Sequence, residues 1–340
     1  MRKSGYRSYH GRMSGGKRVA IIVMVTVLAL AVIYLASQHF VVYDDAGGMQ
    51  IQWPFAKDGE TSADELPEDD LEIIIGSKEE NIPAPQRGEL APLAGVYLGG
   101  DIASITNEGK AFVLEVKDGE GRIRYPSALT AAQEAGAVTG DEADAAALET
   151  MLASYGVARI SAVRDNYYPL YRTVEAGLCR EGNYPWRAFD ACYYLDPAKS
   201  EARSYVAAIA KECVALGFDE VLLSDIGYPA DGEGRLYRIL YPQNAKVAVG
   251  GMLVSVGGAV HGSGAAFGVE LPSEVVLSGA DEIRGVYLET VLAAVDRVYV
   301  KTTAEEAPAL KEIIGEAADF VAVLSQDPSA DYVGNYVVVK

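Results

Sequence analysis

DPAKSEARSYVAAIAKECVALGFDEVLLSDIGYP, residues 196–229, reads as a helix, a tight stop and a strand that ends in acid. Pro197 suits the first turn of a helix and Gly217 suits its end. Val206, Ile209, Ala210, Cys213, Val214 and Leu216 recur at helical spacing and give that helix an apolar stripe. Val221, Leu222 and Leu223 then make a short buried strand, closed by Ser224 and Asp225 before a turn at Gly227 and Pro229. A carboxylate at the C-terminal end of a strand that follows a helix stands where (β/α)8 barrels carry their chemistry.

The same alternation extends on both sides. Short apolar runs predict strands at 95–98, 111–117, 158–163, 220–224, 266–271, 297–301, 320–324 and 336–339. Helical patterns fall at 142–154, 199–216, 283–294 and 305–317. Residues 91–340 therefore read as one somewhat irregular (β/α)8 TIM barrel of the usual length. Two stretches fit poorly. Residues 99–110 leave little room for a crossover between parallel strands. Residues 245–264 are rich in Gly and Val and suit either a helix packed on the sheet or a further strand.

The first 18 residues hold Arg2, Lys3, Arg7, Arg12, Lys17 and Arg18 and no acid, and residues 19–36 are an uncharged apolar run. Such a run is at the short end for a transmembrane helix and long for the core of a signal peptide. Positive charge ahead of it keeps the N-terminus in the cytoplasm. The predicted layout is a basic cytoplasmic tail at 1–18, an uncleaved transmembrane anchor at 19–37 and an exported remainder. A cleaved signal is the alternative. Residues 38–90 are acidic and rich in Gly and Pro, the composition of a flexible, self-repelling linker.

The formal net charge is −19, and −25 once the six N-terminal cations are set aside. An acidic surface excludes nucleic acid as a partner, because phosphate binding needs a basic patch. His10 and His39 flank the apolar run, so His261 stands alone in the exported part, and a multi-histidine zinc site is excluded. No metal or cofactor is implied. Cys213 falls on the apolar helix face as an inert core thiol, while Cys179 and Cys192 flank a loop and can pair only if geometry allows.

Three segments carry a resemblance. AFVLEVKDGEGRIRYPS (111–127), VARISAVRD (157–165) and the long stretch 186–229 are similar, in this order, to a glycoside hydrolase family of exported bacterial, amylase-like TIM-barrel proteins. The resemblance covers the middle of the chain well and the C-terminal third poorly. It implies a barrel acting on polysaccharide, with a carboxylate at the end of the fourth strand. The family's FDEIQFDYIRFP lies over FDEVLLSDIGYP, so its aspartate falls on Ser224 and its arginine on Gly227. In that register Glu220, Leu222 and Ser224 face the barrel axis and Asp225 faces the helices. An irregularity of one residue at the strand end would swing Asp225 into the mouth.

Glycosidic cleavage needs two carboxyl groups flanking the bond. The candidates are Asp225 as nucleophile and Glu270, on the predicted fifth strand, as a proton donor among apolar neighbours. Glu115, Lys117 and Asp118 at the end of the second strand match a family motif and are candidate substrate contacts, as are Asp165 after the third strand and Ser224. Arg159 reads as a structural group in the core or at the bottom of the barrel. The loop 166–194 is aromatic, and Tyr167 and Trp186 are its candidates for stacking on sugar rings. The expected protein is a membrane-anchored, extracytoplasmic glycoside hydrolase-like barrel facing cell-wall glycan. The alternative is a catalytically degenerate barrel that binds glycan or serves as an envelope scaffold.

Overall fold

Period-two burial sorts the strands into two apolar sets, and a closed sheet follows from that sorting. The computed structural model describes residues 90–230 and 245–340, together with the backbone of two short strands, Val41–Tyr43 and Met49–Ile51. These two pair antiparallel inside a first unit, Met1–Gly76, and the barrel belongs to a second unit, Ser77–Lys340. The basic tail, the apolar run at 19–36 and nearly all of the acidic stretch lie outside the described residues. Among the described residues, no helix is long and apolar enough to cross a membrane.

The barrel strands are β1 (Ala94–Leu98), β2 (Ala111–Lys117), β3 (Gly156–Ser161), β4 (Glu220–Ser224), β5 (Ala266–Leu271), β6 (Arg297–Lys301), β7 (Asp319–Leu324) and β8 (Asn335–Val339). They pair in sequence order, all parallel, and β8 closes on β1. Val113, Val157, Leu222, Tyr299, Val321 and Val337 fill the inside of the barrel. Their strand neighbours, among them Phe112, Leu114, Ile160, Leu223 and Val300, pack outward with the helices. Each such fully buried side chain contributes about 1.5–3 kcal/mol relative to exposure. All eight predicted strands are present, shifted by at most two residues at their ends.

The helices differ more. The main ones are α1 (Glu142–Met151), α2 (Ser200–Leu216), α3 (Ala245–His261), α4 (Ser273–Ser278) and α5 (Ala307–Ile314). The Gly/Val-rich stretch is thus a helix, α3, which packs Val249, Met252, Leu253 and Val256 inward. No long helix occupies 283–294. Its place is taken by a small hairpin, Ala280–Asp281 with Val286–Tyr287, and a short helical turn, Leu288–Leu292. The tight connection 99–110 holds only one 3-10 turn, Ile102–Ser104.

α2 also anchors the connection that follows β2. Glu212 accepts hydrogen bonds from Tyr125 Oη (2.7 Å), Ser127 Oγ (2.6 Å) and the Ala128 amide (2.7 Å), so the YPS segment is tied to the helix layer. Burial pushes the Cys213 thiol up to about 12, as befits a core group. Cys179 and Cys192 are separate, buried, free thiols.

Candidate functional site

The backbone at the end of β4 decides where its acid points. Ser161 of β3 pairs with Ser224, and both face the axis, so an extended chain would send Asp225 outward. Asp225 instead adopts a left-handed conformation, with φ of 50°. β3 holds this kink from the side, with the Ala162 amide donating to the Ser224 carbonyl (2.8 Å) and the Val163 amide to the Asp225 carbonyl (3.2 Å). The carboxylate of Asp225 accepts from Ser161 Oγ at 2.9 Å and from Ser224 Oγ at 3.3 Å. Asp225 therefore lines a cavity of about 400 Å³ at the C-terminal ends of β3 to β6, together with Ser224, Glu270, Arg159 and Lys301.

A chain of alternating charge crosses the barrel mouth beside that cavity. Arg159 sits at its centre, donating from Nε to Glu270 (2.7 Å) and from Nη1 to Glu115 (2.6 Å). Glu115 continues to Arg124 at 3.1 Å, and Arg124 to Asp118 at 3.2 Å. On the other side, Lys301 Nζ lies 3.3 Å from Glu270 Oε1, and Tyr97 Oη donates to Glu270 Oε2 at 3.3 Å. Burial works against the charge on Arg159, yet Glu270, Tyr97 and Glu115 raise it above its ordinary value and keep it a cation. The same burial raises the Tyr97 phenol, so it stays a donor.

Glu270 thus has two cations and a phenol around its carboxylate, and not the apolar neighbours expected of a proton donor. Arg159, read from the sequence as structural, lines the cavity. Its position needed the strand register, which pairs it with Glu115 on β2 and leaves Glu270 two residues further along β5 than its level across β4. Lys301 was equally available from alternation, since Arg297 and Tyr299 on the same strand also point inward.

The other candidates lie outside the cavity. The register of β2 shifts between Glu115 and Lys117, so the two do not share one face. Lys117 is wholly buried and donates to the Ser161 and Arg164 carbonyls at 2.9 and 3.1 Å. It also pairs with Asp165 at 3.1 Å, equally buried, whose other oxygen accepts from the Tyr167 and Tyr168 amides. Asp118 caps its own turn through the amides of Glu120 and Arg122. Trp186 is half-buried against the core, its amide bonded to the Leu178 carbonyl. Tyr167 is half-buried, and neither aromatic lines the cavity. Tyr168 of the same loop is spent in the core, stacked on Tyr205 with ring centroids 3.7 Å apart. Among the described residues no group of three His, Cys, Asp or Glu side chains is arranged to hold a metal ion.

Residues 102–300, more than half of the chain, match the sequence model of a family described as "Putative glycosyl hydrolase domain". The chain belongs to this family. The matched region runs from the turn after β1 to the end of β6, and includes Asp225, Glu270, Arg159 and Glu115. No curated protein matches the sequence. Among solved structures, the chain is similar to the PgaB (BpsB) glycoside hydrolase domain from Bordetella bronchiseptica, at 13% identity and a TM-score of 0.48, over 73% of this chain and 94% of that one. It is similar to the glycoside hydrolase domain of PelA from Pseudomonas aeruginosa at 11% identity and a TM-score of 0.38, over 68% and 84%. A hypothetical protein from Ruminiclostridium thermocellum aligns at 20% identity and a TM-score of 0.40, over 51% and 96%.

Proposed function

We propose that this glycosyl hydrolase-family barrel acts on cell-envelope polysaccharide from the outer face of the membrane. The observation that carries the reading is the left-handed turn at Asp225, which brings its carboxylate to the same cavity as Glu270 on the neighbouring strand. Two carboxyl groups from adjacent strand ends meet the basic demand of glycosidic cleavage. Their surroundings divide the roles. Glu270, clasped by Arg159 and Lys301, suits the ionised partner that stabilises positive charge at the sugar's anomeric carbon. Asp225 is held by serine hydroxyls, which accept as readily as they donate, and this suits the group that moves a proton. Anchoring and export rest on the six cations followed by the apolar run at 19–36.

A second reading has its own support. Both oxygens of Glu270 are occupied by cations from the protein itself, and Ser224 and Gly227 stand where the resembling family has aspartate and arginine. A barrel so arranged can hold glycan without cutting it. Release of reducing sugar from wall polysaccharide by the full chain, beside Asp225→Asn and Glu270→Gln, separates the two. Hydrolysis predicts release that falls by about 10²–10⁴-fold in either variant. Retention on the polysaccharide without release, in parent and variants alike, would establish the binding barrel instead.

A further inference from the structure

One wall of the cavity comes from the connection between β5 and β6, where the hairpin 280–287 is wedged against the end of β4. A Cβ on Gly227 would lie 2.7 Å from Val286 Cγ2, 2.8 Å from Arg284 Cβ and 3.0 Å from the Arg284 carbonyl oxygen. The Tyr228 amide donates to that same carbonyl at 3.0 Å. On the hairpin's other side, a Cβ on Gly285 would lie 2.5 Å from the carbonyl carbon of Ala245, the first residue of α3. Two bare glycine backbones therefore let the hairpin seat, and its side chains facing the cavity include Asp281 and Arg284. Asp281 Oδ1 accepts from the Arg284 amide at 3.1 Å, and its Oδ2 lies 3.4 Å from Arg284 Nε. The pair is fixed at the backbone end and open at the other: the Arg284 side chain is 50% exposed and that of Asp281 32%.

Charge on the cavity wall is largely internally matched. Glu270 is paired with Arg159 and Lys301, and Asp281 with Arg284. Asp225 and Glu274 add two further carboxylates to the same wall. Four acids against three cations offer a polyanionic sugar no net attraction. A guanidinium beside a carboxylate does offer adjacent donor and acceptor edges, which match two neighbouring hydroxyls on one sugar ring.

We infer that the hairpin 280–287 is the recognition wall of this site, with Asp281 and Arg284 reading a vicinal diol on a neutral sugar. The inference rests on the cavity being a glycan site. Retention of the full chain, kept in mild detergent, is measured by affinity electrophoresis in gels carrying mannan or xylan, intact or periodate-oxidised, and in gels carrying polygalacturonate. Intact neutral polymer retards the parent, periodate cleavage of the diols removes the retardation, and polygalacturonate gives none. Asp281→Ala and Arg284→Ala each weaken retention by about tenfold or more. Gly227→Ala weakens it too, although both charged side chains remain. Parent retention that survives Asp281→Ala and Arg284→Ala, or that is matched by polygalacturonate, overturns the inference and leaves the glycan reading standing. No retention on any polymer, with no release of reducing sugar, overturns both.

Discussion

A non-glycine residue in the left-handed region costs about 1–2 kcal/mol, with aspartate among the more tolerant, and Asp225 carries that cost at a φ of 50°. Hydrogen bonds from Ser161 and Ser224 offset part of it. If the strain serves the cavity, removing it should separate stability from function. Asp225→Gly relieves the backbone while losing the hydrogen bonds, so its unfolding free energy should stay within about 1 kcal/mol of the parent. Asp225→Val, branched at Cβ and unable to accept a hydrogen bond, should lose about 2 kcal/mol or more. Both should lose glycan release. Urea unfolding of the three proteins checks this, and a Gly variant as unstable as the Val variant would make Asp225 a structural residue. The sequence could show that Asp tolerates this conformation. It could not show that β3 would impose it, because the imposing amides at Ala162 and Val163 are close only in the folded barrel.

Elements show where sequence reading stops for the same kind of reason. Lys117 follows Glu115 by two residues, yet the shift in β2 takes it off the axis and under the loop after β3. A bulge has no signature in the apolar pattern. The hairpin 280–287 was readable in principle, since Gly279 and Gly285 bracket ADEIR, but the apolar residues that follow resemble a helix. The turn after β2 gives a test at this scale. Burial works against an ionised Asp118, but the amides of Arg122 and Glu120 and the cations Arg122 and Arg124 outweigh it and hold the carboxyl below its ordinary 3.8. A lowered folded value stabilises the fold above the ordinary value, and that contribution fades as pH falls through the lower folded one. The stability gap between parent and Asp118→Asn should therefore be constant at neutral pH and shrink below about pH 4. Stepped-pH urea titrations read it directly, and a gap unchanged in strong acid would assign it to turn geometry rather than charge.

The barrel as a whole was the most legible level, because a parallel barrel is buried on both sheet faces and its strands announce themselves as apolar runs. Inward charges such as Arg159 and Arg297 sit on similar runs yet do different jobs at opposite ends of the barrel. Arg297 closes the floor. Its side chain is wholly buried, donating to Glu220 at 2.7 Å, to Tyr155 Oη at 3.1 Å and to the carbonyl of Ala91, with Asp319 at 3.8 Å. Tyr299 Oη adds a bond to Glu220 at 2.8 Å. One guanidinium thus joins the residue before β3, the starts of β4, β6 and β7, and the chain leading into β1. Arg297→Met leaves the Glu220 carboxylate buried without its cation, a loss of about 3–5 kcal/mol. Arg297→Met with Glu220→Gln removes both charges and should recover a good part of that loss, since neither partner is left stranded. Because the cluster ties strands around the barrel, amide exchange should speed up in β1 and β7 together rather than in one strand. The floor lies away from the cavity, so glycan retention below the unfolding transition should match the parent. A single variant within about 1 kcal/mol of the parent, or a double variant no better than the single, would show that the floor is held by its apolar packing and not by this cluster.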